Sequence, residues 1–122
     1  MDKTILIVED DVIAQMTLSH MLSDMGYSKI SCCSNESDLR RELQIDPNRS
    51  LILMDVFLKG VRQGITLAEE ILEKYNIPVL FITASSDPQT VRQLATVAHS
   101  GILQKPYEYD LIQETITQVL NS

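Results

Sequence analysis

Four apolar runs in this sequence stop abruptly at residues that could do chemistry. One ends in Glu9-Asp10-Asp11, one in Met54-Asp55, one in Thr83-Ala84, and one leads through Gln104 into Lys105-Pro106. Carboxylates drawn together repel one another, which raises their pKa values or demands a counter-cation. A hard divalent ion meets that demand, and Mg²⁺ favours one or two carboxylates, several waters and a phosphoryl oxygen. An ammonium at Lys105 and a hydroxyl at Thr83 would complete a pocket for a phosphoryl group, with Asp55 as nucleophile. Singly, each residue has an ordinary reading as a turn, cap, strand or surface residue. Asp11 keeps that reading, as a helix cap. For the others, arrival at four strand ends in one chain favours the joint reading.

The elements that must position them are legible as alternating patterns. Ile5–Val8, Ile30–Cys33, Leu51–Met54, Val79–Ile82 and Gly101–Leu103 are short continuous apolar runs, as expected of strands buried on both faces. Between them lie helical periods. Ala14, Leu18, Met21, Leu22 and Met25 share one face of a helix from Val12 to Met25, and Gly26 stops it. Asn35 opens a second helix, to Gln44, with Leu39 and Leu43 inward. A third runs from Ile65 to Tyr75, with Ile65, Ala68, Ile71 and Leu72 together. Asp87-Pro88 reads as N-cap and first helical residue of a fourth, with Val91, Leu94, Ala95 and Ala98 inward. A fifth, Glu108 to Leu120, is expected to bury Leu111, Ile112, Ile116 and Val119. Strand–helix alternation predicts an α/β fold, a doubly wound five-stranded parallel sheet with right-handed crossovers. Ligands of such sheets sit beyond the carboxyl ends of the strands, where the chemistry-bearing residues lie.

With 122 residues, 44% of them apolar, the chain is expected to form one domain over 1–122 with a core needing no disulfide. A net charge of −7 with scattered Lys and Arg argues against direct nucleic-acid binding. Cys32 and Cys33 are neighbours and read as small core residues in a reducing compartment. Met1 to Thr4 lead straight into Ile5-Leu6-Ile7-Val8, a run far too short for the apolar region of a signal peptide, and no run approaches a membrane span, so a cytoplasmic location is expected.

The ordered set Ile5-Leu6-Ile7-Val8-Glu9-Asp10-Asp11, Leu53-Met54-Asp55-Val56, Ile82-Thr83-Ala84 and Lys105-Pro106-Tyr107 resembles the CheY-like receiver domain of two-component response regulators. The resemblance covers essentially the whole chain. It implies a flavodoxin-like (βα)5 fold with strand order 2-1-3-4-5, acting as a signalling switch in a phosphorelay rather than as an enzyme. Asp55 would receive phosphate from a histidine kinase or histidine phosphotransfer protein. Glu9, Asp10, Asp55 and the backbone carbonyl of Phe57 would hold Mg²⁺. Lys105, before a cis proline, would contact the phosphoryl group. Thr83 would signal its arrival to the helix-4, strand-5, helix-5 face. Homodimerisation through that face and fusion to an effector are both compatible with the resemblance.

Three departures from the family pattern stand out. The usual switch aromatic, three residues before the lysine, is Ile102, which reads as a core residue. The usual proline after the acceptor is Lys59, and the Lys59–Gly64 loop is one residue long of the common form, resembling a subgroup that ends in Gly-Ile, here Gly64-Ile65. Phe57 and Ser85 occupy positions that the resemblance implies influence water access to the acyl phosphate; on that reading a bulky Phe57 would shield it and small Ser85 would not, and slow hydrolysis is expected.

Other classes fit worse. A haloacid-dehalogenase-type enzyme needs a second Asp where Phe57 stands. A flavin binder needs a phosphate loop where Glu9-Asp10-Asp11 would repel the ligand. A phosphorylation-independent interaction module is favoured only by Ile102.

Overall fold

The five apolar runs become β1 (Thr4–Val8), β2 (Lys29–Cys33), β3 (Leu51–Asp55), β4 (Val79–Thr83) and β5 (Gly101–Gln104). They alternate with α1 (Val12–Asp24), α2 (Glu36–Ile45), α3 (Gln63–Lys74), α4 (Pro88–Ala95) and α5 (Tyr109–Leu120). This computed structural model describes residues 2–58, 63–84, 87–96 and 101–121. Lys59, Gly60, Val61 and Arg62 of the β3–α3 loop, Ser85, and Ala98 lie outside the described residues. The sheet is parallel throughout, in the order β2-β1-β3-β4-β5. No helix among the described residues is long and apolar enough to cross a membrane.

Side chains alternate across a strand, so each central strand feeds two cores. Leu6, Val8, Ile52, Met54, Val79 and Phe81 pack with Leu39, Leu43, Ala68, Ile71 and Leu94 on the α2–α3–α4 side. Ile5, Ile7, Leu51, Leu53, Leu80, Ile82 and Leu103 pack with Leu18, Leu22, Ile112 and Ile116 on the α1–α5 side. Each fully buried aliphatic contributes about 1.5–3 kcal/mol, which explains why three central strands need no polar face.

Local chemistry sets the helix ends. Asp11 caps α1 by accepting from the Ile13 N–H at 2.9 Å, and Gly26 follows its end at a φ of 100° that a side chain would resist. Asn35 caps α2 through the Asp38 N–H at 2.9 Å. Asp87 caps α4 through the Thr90 N–H at 3.2 Å, ahead of Pro88.

Several inward assignments fail, for identifiable reasons. Helix α4 buries Thr90 and Leu94, one turn apart, which turns Val91 (49% exposed) and Ala95 outward. Thr90 tolerates burial because Asp87 accepts from its hydroxyl at 3.1 Å. Helix α5 buries Ile112 and Ile116 in the same way, leaving Leu111 outside. Ile102 is exposed rather than a core residue. It lies on edge strand β5, where Leu103 takes the α1–α5 side and Ile102 therefore points to the other. Of the cysteines only Cys33 is core, and burial pushes its thiol up to about 12; Cys32 is exposed on edge strand β2.

Candidate functional site

The carboxyl ends of β1, β3, β4 and β5 carry Glu9, Asp55, Thr83 and Lys105, and parallel pairing brings these ends to one edge. Asp55 is the last residue of β3 and is buried. Its Oδ1 accepts from the Phe57 N–H at 2.9 Å, which fixes the carboxylate plane; its Oδ2 lies 3.5 Å from Lys105 Nζ. Glu9 is only 1% exposed, and its Oε1 accepts from the same ammonium at 2.8 Å. Its Oε2 accepts from the Asp11 N–H at 3.3 Å. Lys105 is itself aimed by its backbone, whose N–H donates to the Thr83 carbonyl at 2.9 Å. Thr83 is buried, and the Lys105–Pro106 bond is cis.

The electrostatics follow from crowding. Burial pushes the Glu9 carboxyl up to about 7, with Asp55 adding to the rise and Lys105 opposing it. Partial burial works against the Lys105 ammonium, but the hydrogen bond to Glu9 and the surrounding negative charge outweigh it and raise its pKa above the ordinary lysine range. Burial likewise pushes the Tyr107 phenol up to about 12. Its buried hydroxyl has no hydrogen-bond partner among the described residues.

One oxygen each of Glu9, Asp10 and Asp55 lie within 4.8 Å of one another. All are hard carboxylate donors. Three carboxylates and one ammonium leave two formal negative charges, the number a divalent cation neutralises. The residues present therefore fit an oxygen-bound divalent ion.

Three contributors escaped the sequence reading. The Cβ of any side chain at Gly64 would stand 2.0 Å from the Asp55 carbonyl oxygen, so α3 closes directly on the acceptor's backbone. Gly64-Ile65 was visible as a pattern, but its reason was not. The Gln15 amide donates to the Glu9 carbonyl and, at 3.0 Å, to Ser34 Oγ, tying the acidic turn to the end of β2. Arg49, with its side chain 6% exposed, bonds to the Glu42 carboxylate, the Asp46 carbonyl and Ser31 Oγ, and so staples the β2–α2–β3 edge. Neither Gln15 nor Arg49 carries a local signal of these distant partners.

A family model described as the response regulator receiver domain matches residues 5–117. The chain belongs to the response regulator receiver family. This receiver is 33% identical over 94% of its length to the transcriptional regulatory protein DpiA of Escherichia coli K12, covering 51% of that protein. It is 28% identical over 99% of its length to the transcriptional regulatory protein CrdR of Helicobacter pylori, covering 56% of that protein. The chain thus spans about half the length of these curated relatives. Among solved structures, the signal receiver domain of a modulated diguanylate cyclase from Desulfovibrio desulfuricans G20 superposes with a TM-score of 0.87 at 28% identity, covering 99% of this chain and 95% of that one. The family places the chain in two-component signalling as a switch.

Proposed function

We propose that this receiver, spanning 1–122 as one unit, accepts a phosphoryl group on Asp55 from the phosphohistidine of a histidine kinase or histidine phosphotransfer protein. The observation that carries the reading is Lys105 Nζ at 2.8 Å from Glu9 and 3.5 Å from Asp55, beside three clustered acids. Asp55 Oδ2, turned toward Lys105 and clear of the Phe57 N–H, attacks phosphorus. A P–O bond forms and the P–N bond breaks, its electron pair passing to the imidazole nitrogen, which takes a proton from solvent. Lys105 holds the equatorial oxygens, and the Thr83 hydroxyl bonds one of them. Glu9, Asp10, Asp55 and the Phe57 carbonyl would hold Mg²⁺, which supplies charge neutralisation to the transferring group.

Two exposed apolar groups support partner contacts. Val12, Ile13 and Met16 stand at the start of α1, just past the acidic turn, where a donor protein must approach. Val91, Ile102 and Leu111 stand on α4, β5 and α5, the face through which the phosphorylated state would be read. With Ile102 in place of an aromatic, Thr83 would act on that face without a ring to reposition.

Incubation with Mg²⁺ and a small phosphodonor is expected to add one phosphate by intact mass, and excess chelator to reduce labelling at least about a hundredfold. Equal labelling with and without chelator would defeat the metal assignment. Phe57 has a half-buried ring that packs against the α2–α3–α4 core, and we assign it a role in shielding the acyl phosphate. Phe57→Asn is expected to speed dephosphorylation severalfold; an unchanged decay of the phosphorylated mass would remove Phe57 from that role.

A further inference from the structure

Glu9, Asp10 and Asp11 join β1 to α1 and belong to neither element. A turn outside sheet and helix must find partners for its backbone elsewhere. The Glu9 N–H donates to the Cys33 carbonyl, at the end of β2, at 3.0 Å. The Glu9 carbonyl accepts from the side-chain amide of Gln15, one turn into α1. A carbonyl oxygen only accepts, so the amide nitrogen of Gln15, not its oxygen, must face it. The same nitrogen donates to Ser34 Oγ at 3.0 Å, and Ser34 directly follows β2. One half-buried side chain therefore spans the ends of β1 and β2 and the start of α1. The peptide linking Glu9 to Asp10 is planar, so a bond that holds the Glu9 carbonyl also fixes the Asp10 nitrogen and Cα. Asp10 is one of the three clustered acids. Its backbone direction sets where that carboxylate can reach.

We propose that Gln15 is a positioning residue for the divalent cation, holding the Glu9–Asp10 peptide so that the Asp10 carboxylate stays aimed at the cluster it forms with Glu9 and Asp55. The proposal rests on the reading of those three acids as a cation site. Gln15 acts through Asp10 and does not touch the metal. Like charges gathered at one point push each other apart, and an exposed or half-buried carboxylate on an irregular turn is the one best able to swing away. The Gln15 amide opposes that motion from the backbone side, where it adds no charge to the site. Ser34 completes the arrangement by fixing the amide's own orientation from the neighbouring strand end.

The test reads Mg²⁺ affinity by calorimetry. Gln15→Met keeps the reach of the side chain and removes its donors. It is expected to weaken Mg²⁺ binding at least about tenfold, the usual size when a residue that orients a metal ligand is lost. Thr17→Val removes a hydrogen bond that stays within α1, from the Thr17 hydroxyl to the Ile13 carbonyl at 2.9 Å. With no partner shared with the acidic turn, it is expected to hold affinity within about twofold of the parent. A second measurement uses the parent alone. Exchange of the Gln15 side-chain amide protons with solvent, followed by NMR, is expected to slow at least about threefold when Mg²⁺ saturates the site, because coupling between this bond and the metal is reciprocal. Parent-like affinity in Gln15→Met, folded by its thermal transition, overturns the positioning role and leaves the cation site standing. An equal loss in Thr17→Val overturns it too, since the effect would then be a general loosening of α1. Unchanged exchange of the Gln15 protons at saturation also overturns it, whether or not Gln15→Met folds. Absence of Mg²⁺ binding to the parent overturns the cation site and the positioning role together.

Discussion

Asp55→Asn is expected to lose phosphorylation by at least about a thousandfold, with phosphodonor and Mg²⁺ at levels that label the parent fully. An amide oxygen is a poor nucleophile and gives no stable acyl phosphate, so no residual route through this position remains. The substitution should not unfold the protein. Asparagine keeps the shape of the side chain, and its carbonyl oxygen can still accept from the Phe57 N–H that Asp55 Oδ1 holds at 2.9 Å. It also removes one of the negative charges that, with burial, push Glu9 up to about 7. Thermal stability in chelator is therefore expected to equal or exceed that of the parent, as is common where function gathers like charges. This separates chemistry from folding. Full labelling of a folded Asp55→Asn, by intact mass and peptide mapping, would place the acceptor elsewhere.

Gly64→Ala is expected to destabilise the fold by about 2 kcal/mol, against the usual sign for this exchange in a helix. Helix propensity alone would favour alanine by about 1 kcal/mol. Here the added Cβ would meet the Asp55 carbonyl oxygen at 2.0 Å, the Asp55 carbonyl carbon at 3.0 Å and Val56 Cα at 3.1 Å. All three are backbone atoms, so no rotamer change relieves the overlap. Overpacking against rigid neighbours costs about 3 kcal/mol, and that term decides the sign. Relief requires either α3 to retreat or the acceptor's own backbone to shift, so slower phosphorylation should accompany the lower urea midpoint. A midpoint at or above the parent's would show that α3 does not close on Asp55 as described.

Gly64 also marks the limit of sequence reading. As a Gly-Ile pair it could be matched to a family pattern, yet the reason for a small residue is a contact with a strand end across the β3–α3 loop. The caps were legible because an N-cap bonds within three residues of itself: Asp11 to Ile13, Asn35 to Asp38, Asp87 to Thr90. Helix faces were legible only in part. A helix of two or three turns permits more than one apolar stripe, and only packing chose Thr90–Leu94 over Val91–Leu94–Ala95.

The sequence by itself determined five apolar runs, their helical partners, and which residues stand at or just past the strand ends: Glu9, Asp55, Thr83 and Lys105; that β2 and β5 are edge strands with mostly unburied residues was not among these properties. These properties are local, written in burial periodicity and in polar residues set directly after apolar ones. The tertiary structure decided who meets whom. Lys105 reaches Glu9, ninety-six residues earlier, more closely than it reaches Asp55. That choice depends on where parallel pairing sets the ends of β1, β3, β4 and β5 relative to one another, and on the Thr83 carbonyl that holds the Lys105 backbone. Distances between strand ends arise only after the sheet has formed, so no local pattern in the chain records them.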